Sequence, residues 1–215
     1  MSLITLTDPQ SPISEAYRTL RTNLSFYSLD KPLQTLVVTS SAVSEDNGES
    51  VANLAVTMAQ SGRNTLLIDC DLRRPVLHEF FGLSNDDGLT NMILNDAEKP
   101  PLQQTAVENL SLLASGPKPP NPADMLGSKK VDQLIINMTE QFDFVLFNAP
   151  PVVAVTDATI LGAKVDGVLL VITAGKTRRD HAEKAKEMLE KAHVRVVGVA
   201  LTNAPKDSSL GDYYN

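Results

Sequence analysis

The chain has 215 residues, 42% of them hydrophobic, enough to bury one substantial core, so a single domain is expected. Its net charge of −7 argues against the basic face that general nucleic-acid binding needs, and its one cysteine, Cys70, excludes a disulfide framework and suits the cytosol. No apolar run approaches the length of a transmembrane helix and no signal peptide is visible, although Met1-Ser2-Leu3 would equally open a domain cut from a longer, membrane-anchored chain.

In chain order, Ser11-Pro12 supplies an N-cap and a first-turn proline for a leading helix that carries Glu15, Arg18 and Arg21. On an amphipathic helix those charges would serve equally as a plain solvated face. The apolar run 35–39 reads as a strand, and residues 48–60 place apolar side chains at helical spacing. Between them lie Ser44, Glu45, Asp46, Asn47, Gly48 and Glu49, followed by Ser50. A strand-turn-helix junction is where a phosphate loop belongs, because helix-start N–H groups and the macrodipole attract anions. Yet no lysine lies between Lys31 and Lys99. The plainer reading of Ser44, Glu45, Asp46 and Glu49 is a helix cap and first turn, which the dipole favours.

The next strand, 65–69, runs into Asp69-Cys70-Asp71-Leu72-Arg73-Arg74, so two carboxylates and two guanidiniums leave the end of a buried strand together. A solvated strand end would explain them more simply. Cys70 reads as a small buried residue with no His/Asp pattern to activate it. Further strands are expected at 110–113, 144–147, 167–173 and 194–201, and helices at 88–94, 129–141, 156–163 and 178–192. The Pro-rich segment 117–122 reads as a surface loop. His78, His181 and His193 have no metal-ligand spacing. Tyr213 and Tyr214 lie close to the end of the sequence, and no internal repeat is present.

Strands alternating with helices imply βαβ units with right-handed crossovers. The expected fold class is therefore α/β: a doubly wound, mainly parallel sheet with helices on both faces. In such a sheet ligands collect at the carboxyl ends of the strands, which would gather residues 40–49, 69–73, 148–151 and 173–176 at one edge.

Several stretches then resemble a known family. The Glu15-Ala16-Tyr17-Arg18-Thr19-Leu20-Arg21 helix, the hydrophobic-D-x-D-x-R run ending at Arg73, the Gly116-Pro117-Lys118-Pro119-Pro120-Asn121-Pro122 loop, the strand-plus-P-P-V stretch 142–157 and the Tyr213-Tyr214 tail occur in one order. Together they resemble the bacterial tyrosine kinases of the polysaccharide co-polymerase type, relatives of the deviant Walker ATPases that include cell-division and partition proteins. The resemblance implies a P-loop NTPase-like fold over 1–215, with an oligomerisation helix in 1–30 and a tyrosine tail in 204–215. It implies homo-oligomers through Glu15, Arg18 and Arg21, with Tyr213 and Tyr214 as phosphoacceptors. Asp69 would be the catalytic base, and Asp71 a catalytic and metal-shell residue. ATP and Mg²⁺ would be the cofactors, held by Ser44, Asp46, Asn47, Gly48, Glu49, Ser50, Arg73 and Asn148. The implied partner is a chain-length-determinant membrane protein, in cis or in trans, which would place the chain in the cytoplasm at the inner face of the cell membrane.

The sequence departs from the family at two places. Without gaps, Asn47 takes the position of the phosphate-loop lysine, and a slipped register puts Glu49 there and keeps a hydroxyl at Ser50. Neither register supplies a lysine. Glu45, Asp46 and Glu49 make the loop acidic, and one like charge at 4 Å costs roughly 4 kcal/mol at an effective dielectric of 20. Asn148 stands where an aspartate usually follows the 144–147 strand run, so that position brings no charge to Mg²⁺. The expected function is a kinase-like domain of an exopolysaccharide or lipopolysaccharide biosynthesis and chain-length control system. Its ATP site is expected to be disabled, with no tightly bound cofactor and an assembly or regulatory role. The alternatives are an active autokinase that recruits Lys176 or a neighbour's lysine, a partition-type ATPase switch, and a structural paralogue that binds another small anion or nothing.

Overall fold

The computed structural model describes residues 2–27, 32–43, 45 and 47–204. Helices α1 (Ile4–Thr7) and α2 (Pro12–Phe26) precede strand β1 (Thr35–Ser40) and helix α3 (Asn47–Gln60). Then follow β2 (Thr65–Asp69), α4 (Leu77–Phe81), α5 (Leu89–Leu94), β3 (Gln103–Gln104) and β4 (Leu110–Leu113). The remaining elements are α6 (Pro122–Gly127), α7 (Lys129–Thr139), β5 (Phe144–Asn148), α8 (Asp157–Gly162), β6 (Gly167–Thr173), α9 (Arg179–Lys191) and β7 (Val196–Thr202).

The strands form one sheet in the order β3-β4-β2-β5-β1-β6-β7. Every pairing is parallel except that of β3 with β4. A parallel sheet covered by helices on both faces hides both sides of its strands, which is why β1, β2, β4 and β5 are buried at every position. Successive side chains still point to opposite faces. Val37 packs with Ile68, Val145, Leu134 and Leu161 on one side, whereas Leu36 and Val38 meet Leu67, Leu54 and Met58 on the other. Each fully buried Leu or Met of this kind contributes roughly 1.5–3 kcal/mol.

Helix α3 is buried along nearly its whole length because it lies between the sheet and α2. Helix α2 begins as its sequence dictates: Pro12 occupies the first turn and the Ser11 hydroxyl accepts from the Ser14 N–H at 3.2 Å. Leu3 and Leu24 anchor this amino-terminal segment in the same core face as α3.

The differences from sequence expectation are local. The last strand begins at Val196 rather than 194, because the Val194 N–H donates to the Leu189 carbonyl and His193 takes φ 56°, closing the end of α9. Pro122 is the first residue of α6 rather than the end of a loop. The antiparallel β3 and the short helices α1, α4 and α6 carry too few residues to show a periodicity.

Candidate functional site

Strands β1, β2, β5 and β6 all release the chain at one edge of the sheet, and the residues singled out above converge there. Glu45 follows β1 and is only 4% exposed. Its carboxylate turns back toward the strand ends instead of facing α3. One oxygen accepts from the Ser41 N–H at 2.6 Å and the Ala42 N–H at 2.8 Å. The other accepts from the Ser41 hydroxyl at 3.0 Å, the Thr173 N–H at 3.3 Å and the Thr177 hydroxyl. This corrects the reading of Glu45 as part of a helix cap: a fully satisfied buried carboxylate is the alternative to an exposed one at a helix start. Ser44 and Asp46 lie outside the described residues.

Asn47 opens α3, and its side-chain NH₂ donates to Asn148 Oδ1 at 2.9 Å and to the Ala149 carbonyl at 2.7 Å. Asn148 in turn donates to Asp69 Oδ1 at 2.9 Å. The chain Asn47–Asn148–Asp69 thus crosses the ends of β5 and β2. It explains the amide at position 148, since a carboxylate there would face the Asp69 carboxylate at hydrogen-bond distance without a donor between them.

Asp69 itself is fully buried. Besides Asn148 it accepts from the N–H groups of Val76 and Leu77, both at 3.0 Å, and from that of Asp71 at 3.2 Å. Burial raises its pKa from 3.8 to about 6, while the bonds from Leu77, Asn148 and Val76 pull it down and the Asp71 charge raises it. Four donors on two oxygens describe an acid that ties the β2 exit to the start of α4.

Asp71 uses Oδ1 to accept from the Arg73 and Arg74 N–H groups at 3.2 and 3.0 Å, an Asx-type turn. Burial raises its pKa. It lines a cleft of about 490 Å³ together with Glu49, Arg74, Phe80, Asn148 and Ser2. Among the described residues no three His, Cys, Asp or Glu side chains are grouped to hold a metal. Arg73 does not face this cleft as a nucleotide contact; its guanidinium is bidentate to Asp157 at 3.0 and 3.1 Å. Gly48 packs tightly, since a Cβ there would stand 2.6 Å from Val76 Cγ1. Ser50, the hydroxyl of the slipped register, is buried, and burial raises the pKa of the Tyr17 phenol of α2.

On α2, Arg18 pairs with Glu15 at 2.7 Å and also reaches the Pro9 carbonyl, and Arg21 donates to the Thr57 carbonyl of α3 at 3.2 Å. Lys176 is exposed beyond β6. Tyr213 and Tyr214 lie outside the described residues. Sequence reasoning placed Thr173 at this edge without assigning it a partner and missed Asp157 and Thr177. Asp157 left a signal as the last residue of the 142–157 stretch; Thr177 left none.

The family model ParA, described as NUBPL iron-transfer P-loop NTPase, matches residues 47–203. The chain is 42% identical over 213 residues to the tyrosine-protein kinase YwqD of Bacillus subtilis (strain 168), covering 99% of this chain and 90% of that protein. It is 33% identical over 206 residues to the tyrosine-protein kinase Wzc of Salmonella typhi, covering 94% of this chain and 28% of that one. The crystal structure of the chimerical protein CapA2B2 superposes with a TM-score of 0.89 at 35% identity, over 95% of this chain and 93% of that one.

Proposed function

The chain belongs to the bacterial tyrosine-protein kinase family, with the P-loop NTPase fold, and on that premise we propose that it is a kinase-like domain whose ATP site is disabled and whose role is assembly or regulation. The setting is an exopolysaccharide or lipopolysaccharide system with chain-length control. Residues 1–215 act as a single domain, with assembly through 1–30 and a tyrosine tail in 204–215.

One observation carries the reading: Asn47, in the place of the phosphate-loop lysine, spends its amide on Asn148 and Ala149. A magnesium nucleotide needs a cation on its outer phosphates, open loop N–H groups and a hydroxyl for the metal. Here the first is an amide already bonded, and two N–H groups at the start of the loop are bonded to Glu45. The residue after Asn47 is a glycine whose side-chain space Val76 fills. The residues present do not fit Mg-ATP. Asp69, the base in the resembled kinases, is saturated by donors and serves as a structural acid in this reading.

Titration with Mg-ATP or Mg-ADP tests this directly. A ligand at 100 times its Kd stabilises by about 2.7 kcal/mol, which for a chain of this size is roughly 5–10 °C in Tm. We expect a shift under about 1 °C at millimolar nucleotide. A shift that grows with nucleotide concentration, or phosphate found on Tyr213 or Tyr214 after incubation with Mg-ATP, would establish the active autokinase instead.

Glu15, Arg18 and Arg21 supply the assembly contacts by exchanging their pairings within the chain for pairings between copies. The partner is a chain-length-determinant membrane protein, which holds the domain at the cytoplasmic face of the membrane. Relatives of two lengths, one matched over 90% and another over 28% of its own chain, suit a partner either in trans or in cis. Ion pairs at a rim give orientation and salt dependence more than affinity. Sedimentation should show oligomers at low ionic strength that dissociate as sodium chloride is raised. A strict monomer at high protein concentration and low salt, also with the partner's cytoplasmic segment present, removes the assembly role.

A further inference from the structure

Taking the loop as the disabled nucleotide loop proposed above, we infer that Glu45 is a tethered anion filling an oxyanion nest made by Ser41, Ala42, Thr173 and Thr177, so that no soluble anion is needed to fill it. Five donors surround this one carboxylate: the N–H groups of Ser41, Ala42 and Thr173, and the hydroxyls of Ser41 and Thr177. All are dipoles and none is a cation. Ser41 is fully buried and Thr173 nearly so. The Thr173 N–H is shared with the Thr177 hydroxyl at 2.9 Å, so the two threonines form one donor pair at the exit of β6. Successive N–H groups turned toward one point form an anion-binding concavity, and a carboxylate accepting several charge-assisted bonds is the strong form of that contact.

Two consequences follow from the tether. Glu45 is present at an effective concentration that a soluble anion at physiological level does not match. It also laces the exit of β1 to that of β6, elements 128 residues apart in sequence at the Thr173 contact. Glu45 is thereby held against the exits of β1 and β6 whether or not nucleotide is present, as an assembly domain without turnover requires. With the carboxylate removed, the nest would accept a small oxyanion, acetate or phosphate, that reproduces it.

The test is thermal unfolding of the parent chain, Glu45→Ala, Glu45→Gln and Thr177→Val in sodium chloride, sodium acetate and sodium phosphate at matched ionic strength. Glu45→Ala should unfold roughly 5–10 °C below the parent in chloride, since several buried donors lose their acceptor. Acetate or phosphate should return at least a third of that loss to this variant, and none to the parent. Glu45→Gln should be destabilised without rescue, because its amide still occupies the nest. Thr177→Val should lose less and respond to neither anion. Rescue by acetate alone would mark a carboxylate-sized nest, and rescue by phosphate would mark one wide enough for a phosphoryl group; either supports the inference. If Glu45→Ala is insoluble, its refolding yield in acetate or phosphate against chloride is the reading, and higher yield supports the nest. Glu45→Ala with the parent's Tm, or a loss or yield that neither anion improves, would overturn it. Binding of Mg-ATP to the parent would sink the disabled-site reading while leaving the anion rescue of Glu45→Ala standing, so the two failures are distinguishable.

Discussion

Asp69→Ala should lower the stability of the fold by about 3–5 kcal/mol, a loss typical of a buried, fully bonded carboxylate. Four donors converge on this side chain, two from the start of α4, one from Asp71 and one from Asn148. Alanine leaves them without an acceptor where water does not reach. The loss should also depend on pH in a particular direction. Burial moves the Asp69 carboxyl from 3.8 to about 6, so between those values the native chain keeps a proton that the unfolded chain has released. Stability from this group is therefore present below pH 4 and declines as the pH rises through about 6. The gap corresponds to about 3 kcal/mol. The difference between parent and Asp69→Ala should widen as the pH falls from 7 to 4, as urea midpoints at a series of pH values will show. An exposed catalytic base would behave otherwise, with turnover lost and the midpoint unchanged. That result would remove Asp69 from the structural role assigned to it here.

Arg73→Ala should cost more than Asp157→Ala, although both break the same ion pair. Asp157 is fully buried, whereas the Arg73 side chain retains 36% exposure. Removing the arginine strands a carboxylate inside the protein at about 3 kcal/mol; removing the aspartate leaves a guanidinium that water can reach, at about 1–2 kcal/mol. The double variant Arg73→Ala/Asp157→Asn should recover more than half of the larger loss, because no buried charge remains. Equal losses, or a larger loss for Asp157→Ala, would mean that the pair acts as a surface ion pair and does not hold the β2 exit to α8.

Much of this protein was legible from its residues alone. The strands Thr65–Asp69, Leu110–Leu113 and Gly167–Thr173 coincide with their predicted limits, because a strand buried on both faces is a continuous apolar run that stops where polar residues begin. Helix α2 starts where Ser11-Pro12 says it should. The absent lysine and the amide at position 148 could be read without coordinates, since each is a residue type missing from a fixed place in a motif. What the residues at each place connect to was a different matter. Glu45 reaches Thr177 across 132 residues, Asn47 reaches Asn148 across 101, and Arg73 reaches Asp157 across 84. Periodicity and composition are local quantities and carry no strand order. Only the order β2-β5-β1-β6 places those side chains within reach of one another, and a buried polar group must then bond to whatever stands beside it. So the sequence determined the layers and the missing charges, while the tertiary structure decided that Glu45 closes on the ends of β1 and β6 and that Asp69 accepts from four donors.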